Sequence, residues 1–366
     1  FKVTKQEMVK GLNQVIRLAG RRMPLPILNN VLLKAEIEQL TITVTDLELA
    51  IETNIKAESK DNGSFTVPAR LLNDYILALN DTQLEGEVLD EANLVLKSSQ
   101  SQVKIRGLDA SEFPSLPFIS EGTKIALTAN EFKQAIDMVI YASAIDDTRP
   151  ALAGVYCLVE NSNLTLAATD SYRLAERQIK LTNPVERAAK TIIPKTTMME
   201  ISRIIGNQAG DISVIIGDNQ IQTEHLKTKI ISRTIEGNYP DYKAIIPNEY
   251  RTRVTANTNE LVSALKLGQL FSKEAGNIIN LIAVPGQGVT IESAAATAGQ
   301  STNRFTAITE GEDLTAAFNV KYLLDALSVI EADNLFMEFS GPDRPVLFRP
   351  ANTKDYISLV MPLKLT

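Results

Sequence analysis

The sequence predicts an α+β protein of three similar domains in tandem. A junction in which a β-branched run gives way to an apolar helix pattern is written at 65–79 (FTVPARLLNDYILAL) and again at 191–205 (TIIPKTTMMEISRII). It recurs, without its proline, at 318–330 (FNVKYLLDALSVI). Aligning Val67, Ile193 and Phe318 gives steps of 126 and 125 residues. Apolar positions then coincide at Leu72, Met198 and Leu323 and at Leu79, Ile205 and Ile330, and so do the acids Asp74, Glu200 and Asp325. A period this long is that of a duplicated domain, not a solenoid repeat.

Each copy opens on a helix: TKQEMVKGLNQVI (4–16), TANEFKQAIDMVI (128–140) and NTNELVSALKLGQ (257–269), with Glu7, Glu131 and Glu260 each preceding an apolar residue. Met8-Leu12-Val15-Ile16 and Phe132-Ile136-Val139-Ile140 form the stripe of an amphipathic helix. The third copy keeps Leu261 and Leu265 but has Gly268 and Gln269 where the stripe should continue. Next come LTITVTD (40–46), LTLAATD (164–170) and VTIESAA (289–295), whose period-two alternation rich in Val, Ile and Thr reads as half-buried strand. Second helices follow the three junctions, over 69–79, 195–205 and 320–330. Pro68 and Pro194, lacking an N–H, can end a strand and serve as a first helical residue. VKIRGLDASEFPSL (103–116) and KIISRTIEGNYPDY (229–242) share a strand followed by an aromatic-proline pair. SEGTK and PNEYRT interrupt the apolar pattern, so the domains are expected at 1–122, 123–250 and 251–366. Each has two helices on antiparallel sheet.

A chain of 366 residues exceeds one ordinary core, and 44% hydrophobic with 22% charged residues is a soluble globular composition. The single Cys157 excludes an internal disulfide framework and fits a reducing cytoplasm. FKVTKQEMVKGLNQVIRLAG has no continuous apolar core, so no signal peptide is expected. No run approaches the ~18 apolar residues of a membrane span.

Catalytic chemistry is scarce. The only histidine, His225, lies in the polar segment QTEHLK and is expected to be solvated, which removes most triads and His-rich metal sites. Cys157, inside GVYCLVE, reads as a buried small hydrophobe. Neither phosphate-binding glycine motif is present, and PGQGVT (285–290) reads as a turn. Asp146 and Asp147 are adjacent, but nothing local completes a metal site with them, so no cofactor is expected.

Charge is more informative. The net charge is −7, yet the six helical stretches, counted over 5–22, 69–79, 129–145, 195–205, 258–273 and 320–330, together carry +5 and the remainder −12. If those helices share one surface, it is basic on an acidic body.

LPILNN (25–30), FPSLP (113–117), ATDSYRLA (168–175), YPDY (239–242), FNVKYLLDAL (318–327) and VMPLKL (360–365), in this order over three tandem domains, resemble the bacterial DNA polymerase III sliding clamp (beta subunit) family. The resemblance implies a head-to-tail homodimer ring, with twelve helices inside and continuous sheet outside. Twelve helices at ~9–10 Å spacing enclose a circle of helix axes ~35 Å across. Subtracting a helix radius of ~5 Å on each side leaves a hole of ~25 Å. A duplex roughly 20 Å wide passes through it with a water layer. Loose phosphate attraction without base contacts retains DNA without sequence preference, so encirclement does not need a strongly basic protein.

By the same resemblance, Arg22 is a channel residue that touches DNA, joined by Lys10, Arg17, Lys195 and Arg203. The partner-peptide pocket maps to Leu152, Thr169, Ser171, Tyr172, Arg173 and Leu174, then to Pro240, Ile245, Asn319 and Tyr322, and finally to Val346, Val360, Met361, Pro362 and Leu363. Such a set suits a short peptide with Leu and Phe anchors. Ser171-Tyr172 stand where some clamps have Gly-His, and Ala244 where some have Arg. Dimer contacts map to Val103 and Ile105 on one edge and Leu270 and Phe271 on the other. Implied partners are double-stranded DNA, a second copy of the chain, the replicative polymerase catalytic subunit, a clamp-loader ATPase and other proteins with a clamp-binding motif, with no membrane. The competing readings are a monomeric three-domain peptide-binding adaptor, which the helix charge excess disfavours, and an enzyme with an inter-domain carboxylate site, which the missing His, Cys and phosphate-loop chemistry disfavours.

Overall fold

The computed structural model describes all residues except 20–24, 91, 117, 147, 296–298 and 365–366. The six helices anticipated from the period are present: α1 (Lys5–Ala19), α2 (Ala69–Ala78), α3 (Ala129–Ile140), α4 (Lys195–Ile205), α5 (Thr258–Ser272) and α6 (Val320–Leu327). The chain forms two compact units, Phe1–Asn130 with Arg203–Thr234, and Glu131–Ser202 with Ile235–Thr366.

The first unit holds an eight-stranded antiparallel sheet. Its order is Gly63–Pro68, Asn30–Glu36, Gln39–Thr45, Leu49–Lys56, Thr228–Arg233, Gln220–His225, Asp211–Ile216 and Thr123–Thr128. A four-stranded sheet runs Lys2–Thr4, Gln83–Asp90, Asn93–Lys97 and Gln102–Arg106. Met8, Leu12 and Val15 of α1 are fully buried, as their spacing predicts. The helix approaches the sheet so closely at Gly11 that a Cβ there would lie 2.6 Å from Ile42 Cδ1.

In the second unit a nine-stranded sheet runs Ala189–Pro194, Gly154–Glu160, Asn163–Thr169, Arg173–Lys180, Tyr356–Val360, Val346–Pro350, Asn334–Phe339, Thr252–Asn257 and Ala307–Gly311. A four-stranded sheet runs Gly299–Phe305, Gly288–Ala295, Ile278–Val284 and Leu314–Asn319. The weak stripe of the third opening helix has a physical cause. α5 continues through Gly268, which is buried where a Cβ would already lie 3.2 Å from Ile291 Cγ2, so no large side chain fits.

Both long sheets are two shorter sheets joined by one strand pair, Leu49–Lys56 with Thr228–Arg233 and Arg173–Lys180 with Tyr356–Val360. At the same period along the chain lie Gln102–Arg106 and Gly299–Phe305, which end the two four-stranded sheets with one side that no strand among the described residues pairs. Each joining strand type therefore has one unpaired representative.

Two expectations need correction. Pro68 and Pro194 are the last residues of their strands, paired opposite Asn30 and Gly154, and do not begin the helices. Both strands are sheet edges, where a missing N–H leaves no ladder bond unmade. In the third copy Asn319 holds this place and caps α6, its side chain accepting from the Lys321 N–H at 3.0 Å. His225 is buried, not solvated: it shares the inward face of its strand with Ile221 and Thr223, and Nδ1 lies 3.0 Å from the Asp211 carbonyl oxygen.

Cys157 is buried as expected, and burial pushes its thiol up to about 12. Asp146 accepts from the N–H and hydroxyl of Thr148 in a local turn, while Asp147 lies outside the described residues. Among the described residues no cluster of three His, Cys, Asp or Glu could hold a metal, and no helix is long and apolar enough to cross a membrane.

Candidate functional site

The sequence Thr169-Asp170-Ser171-Tyr172-Arg173 folds as a tight turn because its side chains bond its own backbone. Thr169 Oγ1 donates to the Arg173 carbonyl at 2.7 Å and accepts from the Ser171 N–H at 3.1 Å. Asp170 Oδ1 accepts from the N–H groups of Tyr172 and Arg173 at 2.9 and 3.0 Å. The corner residue, Ser171, is left-handed with φ 78°. Thr45-Asp46-Leu47-Glu48-Leu49 repeats this turn bond for bond, with Leu47 at φ 77°.

The turn presents Tyr172 outward and Arg173 inward. Arg173 is 7% exposed, with Nε donating to Asp170 Oδ2 at 3.0 Å and Nη1 to Asp325 Oδ2 at 2.5 Å. Its guanidinium lies 4.7 Å from the centre of the Tyr322 ring and 5.6 Å from that of Tyr141. Burial alone would lower its pKa, but the bonds to Asp325 and Asp170 outweigh that and raise it. Tyr172 stacks on Tyr322 with ring centres 6.2 Å apart. Behind them Tyr141 Oη is 2.6 Å from Ser358 Oγ, and burial raises the Tyr141 phenol.

An apolar floor lies beside the turn. Leu174, Tyr242, Leu347, Ile357 and Leu359 are buried together, with Tyr156, Tyr239 and Met361 packed against them. Tyr156 and Tyr239 stack at 5.1 Å, and the Tyr239 hydroxyl accepts from the Thr169 N–H at 3.0 Å. Tyr242 donates to Glu176 Oε2 at 2.5 Å, and burial, followed by the neighbouring carboxylate, raises its pKa. The tail is docked rather than frayed: the Met361 N–H donates to the Tyr172 carbonyl, and the Leu363 N–H to the Ala317 carbonyl, both at 2.8 Å.

The residues mapped to the pocket thus fall into two groups. Leu152, Thr169, Arg173, Leu174, Val346 and Val360 are buried, with Val346 and Val360 paired in register. Ser171, Tyr172, Pro240 and Ile245 are exposed, and Asn319, Tyr322, Met361, Pro362 and Leu363 half-exposed. Arg149 was missed by sequence reasoning, although its Nη1 donates to Ser171 Oγ at 3.0 Å. Asp325 was visible only as a repeated acid, and Tyr141 and Glu176 gave no signal.

The basic helix residues also differ among themselves. Lys10 and Arg17 are exposed and two turns apart on one face of α1. Lys195 is half-buried, its Nζ donating to the Ser143 carbonyl at 3.2 Å; burial and then the Arg173 charge push its pKa down. Arg203 is spent on the α1 backbone, donating to the Asn13 carbonyl at 3.1 Å and the Gln14 carbonyl at 2.5 Å. Arg22 lies outside the described residues. On the unpaired edge strand Val103 is half-buried and Ile105 buried. On α5 Leu270 is 59% exposed and Phe271 half-buried.

Comparison with known proteins agrees with this architecture. The N-terminal, central and C-terminal domain models of the DNA polymerase III beta subunit match residues 1–117, 126–241 and 243–364. The beta sliding clamp of Bacillus subtilis is 30% identical over 374 residues, covering 100% of this chain and 99% of its own. The crystal structure of the Bacillus subtilis DNA polymerase sliding clamp gives a TM-score of 0.96 at 30% identity, covering 100% of this chain and 99% of its own. That of the Pseudomonas aeruginosa DNA polymerase III subunit beta gives 0.95 at 27% identity, with all of both chains covered. This chain therefore belongs to the DNA polymerase III beta subunit family and functions as a DNA sliding clamp, a replication processivity factor and not an enzyme.

Proposed function

We propose that two copies join head to tail through the unpaired edges of Gln102–Arg106 and Gly299–Phe305 and so close a ring around duplex DNA. The observation that carries this reading is the repeat of joining strands: each internal joint pairs one strand of either type, and the chain retains one unpaired strand of each. Val103 on the first edge, with Leu270 and Phe271 on the other side, supplies apolar surface for the joint, and Ile105 anchors its strand from beneath. Lys10 and Arg17, with Arg22, face the phosphates, and the bonded Lys195 and Arg203 add positive charge more than contact. The domains that repeat are 1–122, 123–250 and 251–366.

The floor around Leu174, the Tyr172–Tyr322 rim and the docked tail form the pocket for a peptide with Leu and Phe anchors, carried by the polymerase catalytic subunit and other clamp-binding proteins. A clamp-loader ATPase opens the ring, and the protein works in the cytoplasm. The test is retention. Once loaded, the protein should remain on nicked circular DNA at salt that abolishes ordinary phosphate binding, and leave when the circle is cut. Equal loss from circular and linear DNA would sink the encirclement.

A further inference from the structure

Asp74, Glu200 and Asp325 coincide in the three copies, and Asp325 has a partner far along the chain. It accepts from Arg173, 152 residues away, whereas the first-copy counterpart of Arg173 is Leu49, at the same place in the repeated turn. Both residues lie in joining strands, Arg173 opposite Val360 and Leu49 opposite Ser232. A joint of this kind is therefore built with an apolar residue at that position. Arg173 is buried while the Asp325 side chain is 50% exposed. Ion pairs, buried or exposed, are in general poor stability devices: solvent screens the exposed end, and an apolar replacement of similar volume serves as well at the buried one. The charge pair stands at the joint that carries the peptide pocket, which calls for a role other than holding sheets together.

Geometry supplies that role. Asp325 and Tyr322 are three residues apart on α6 and so share a face. Asp325 and Asp170 hold the guanidinium from two sides, and the held guanidinium sits against the Tyr322 ring. The other neighbour of that ring is Tyr172, which is 59% exposed and raised on the left-handed corner. With the Asp325 charge removed, Arg173 keeps Asp170 at Nε and the Tyr141 ring beside it, but its Nη1 end is released and can turn away from Tyr322, which then loses the cation that fixes its plane. We infer that Asp325, acting through Arg173, is a positioning residue that sets the Tyr172–Tyr322 rim of the peptide pocket. This rests on the pocket reading given above and adds to it a residue that touches no peptide.

The test uses the full-length protein and a short synthetic peptide carrying Leu and Phe anchors, with affinity measured by calorimetry and melting temperature alongside. Asp325→Asn should weaken binding about tenfold, a loss of ~1.4 kcal/mol, and Asp325→Glu, which keeps the charge, should recover most of it. In an Arg173→Leu background Asp325→Asn should cost nothing further, because the effect passes through Arg173. The double substitution Arg173→Leu with Asp325→Leu removes both charges at once, and should restore melting temperature without restoring affinity. The inference is overturned if Asp325→Asn binds as tightly as the wild type, if the two losses add, or if the double substitution restores both readouts. Failure of the wild type to bind the peptide would instead overturn the pocket reading, and with it this role for Asp325.

Discussion

Leu47 and Ser171 occupy the same corner of the same turn, 124 residues apart, with φ of 77° and 78°. Thr45 and Thr169, and Asp46 and Asp170, bind the backbone around them in the same way. The turn chemistry fixes the corner, and the corner residue must then accept a conformation that costs an L-residue about 1–2 kcal/mol.

A leucine has no local means of offsetting that cost, and Leu47 is half-exposed, so little packing compensates. Leu47→Gly is expected to stabilise the protein by about 0.5–1 kcal/mol, the relief of strain exceeding the added freedom of the unfolded chain. Urea titration followed by circular dichroism measures this. A loss of stability would mean that the Leu47 side chain contributes packing that its exposure does not reveal.

The tail gives a second expectation. Deleting Met361 to Thr366 removes the backbone bonds to Tyr172 and Ala317 and with them one wall of the pocket. The edge of Leu314–Asn319 is uncovered, while the strands proposed to join two copies are untouched. The truncated protein should remain dimeric and be threaded by DNA, but bind the Leu- and Phe-bearing peptide at least ~10-fold more weakly, a loss of ~1.4 kcal/mol or more. Unchanged affinity in an intact dimer would show that the pocket lies elsewhere.

The third concerns association. Leu270 is 59% exposed at the end of α5 and Phe271 is half-buried, so replacing both with Ala removes more surface from the joint than from the core. The variant is expected to be a folded monomer, with halved mass by light scattering and unchanged circular dichroism. Residues buried at a joint cost ~2–5 kcal/mol each on truncation, enough to abolish dimers at micromolar concentration. A dimer of undiminished affinity would exclude these residues from the joint.

The architecture was legible because it was written three times. One amphipathic stripe is ambiguous, but Met8, Phe132 and Leu261 heading three stripes at one period are not, and all three are buried. The turn at Thr169 was not read as a turn, although the bonds of Thr169 and Asp170 that shape it reach only the backbone of Ser171, Tyr172 and Arg173. The charge pair was not legible: Arg173 and Asp325 are 152 residues apart, and no local pattern announces a partner at that distance. Arg149 was missed for the same reason, its bond to Ser171 spanning 22 residues. His225 misled because a polar neighbourhood such as QTEHLK says nothing of which strand face a residue takes. The prolines misled because a residue able to start a helix is equally suited to end an edge strand.

The two unpaired strands differ from each other, so the joint they are proposed to make is polar, with a front and a back. A joint between identical patches is exhausted once two copies meet, but a front-to-back joint leaves a fresh front at one end and a fresh back at the other. Growth then stops only when the last back meets the first front. Two copies are enough only if the bend at every joint, within and between chains, adds up to a full turn. A substitution that opened the bend at the internal pairing of Arg173–Lys180 with Tyr356–Val360 would therefore not give monomers. It would leave the ends unable to meet, and the same surfaces would assemble helical filaments.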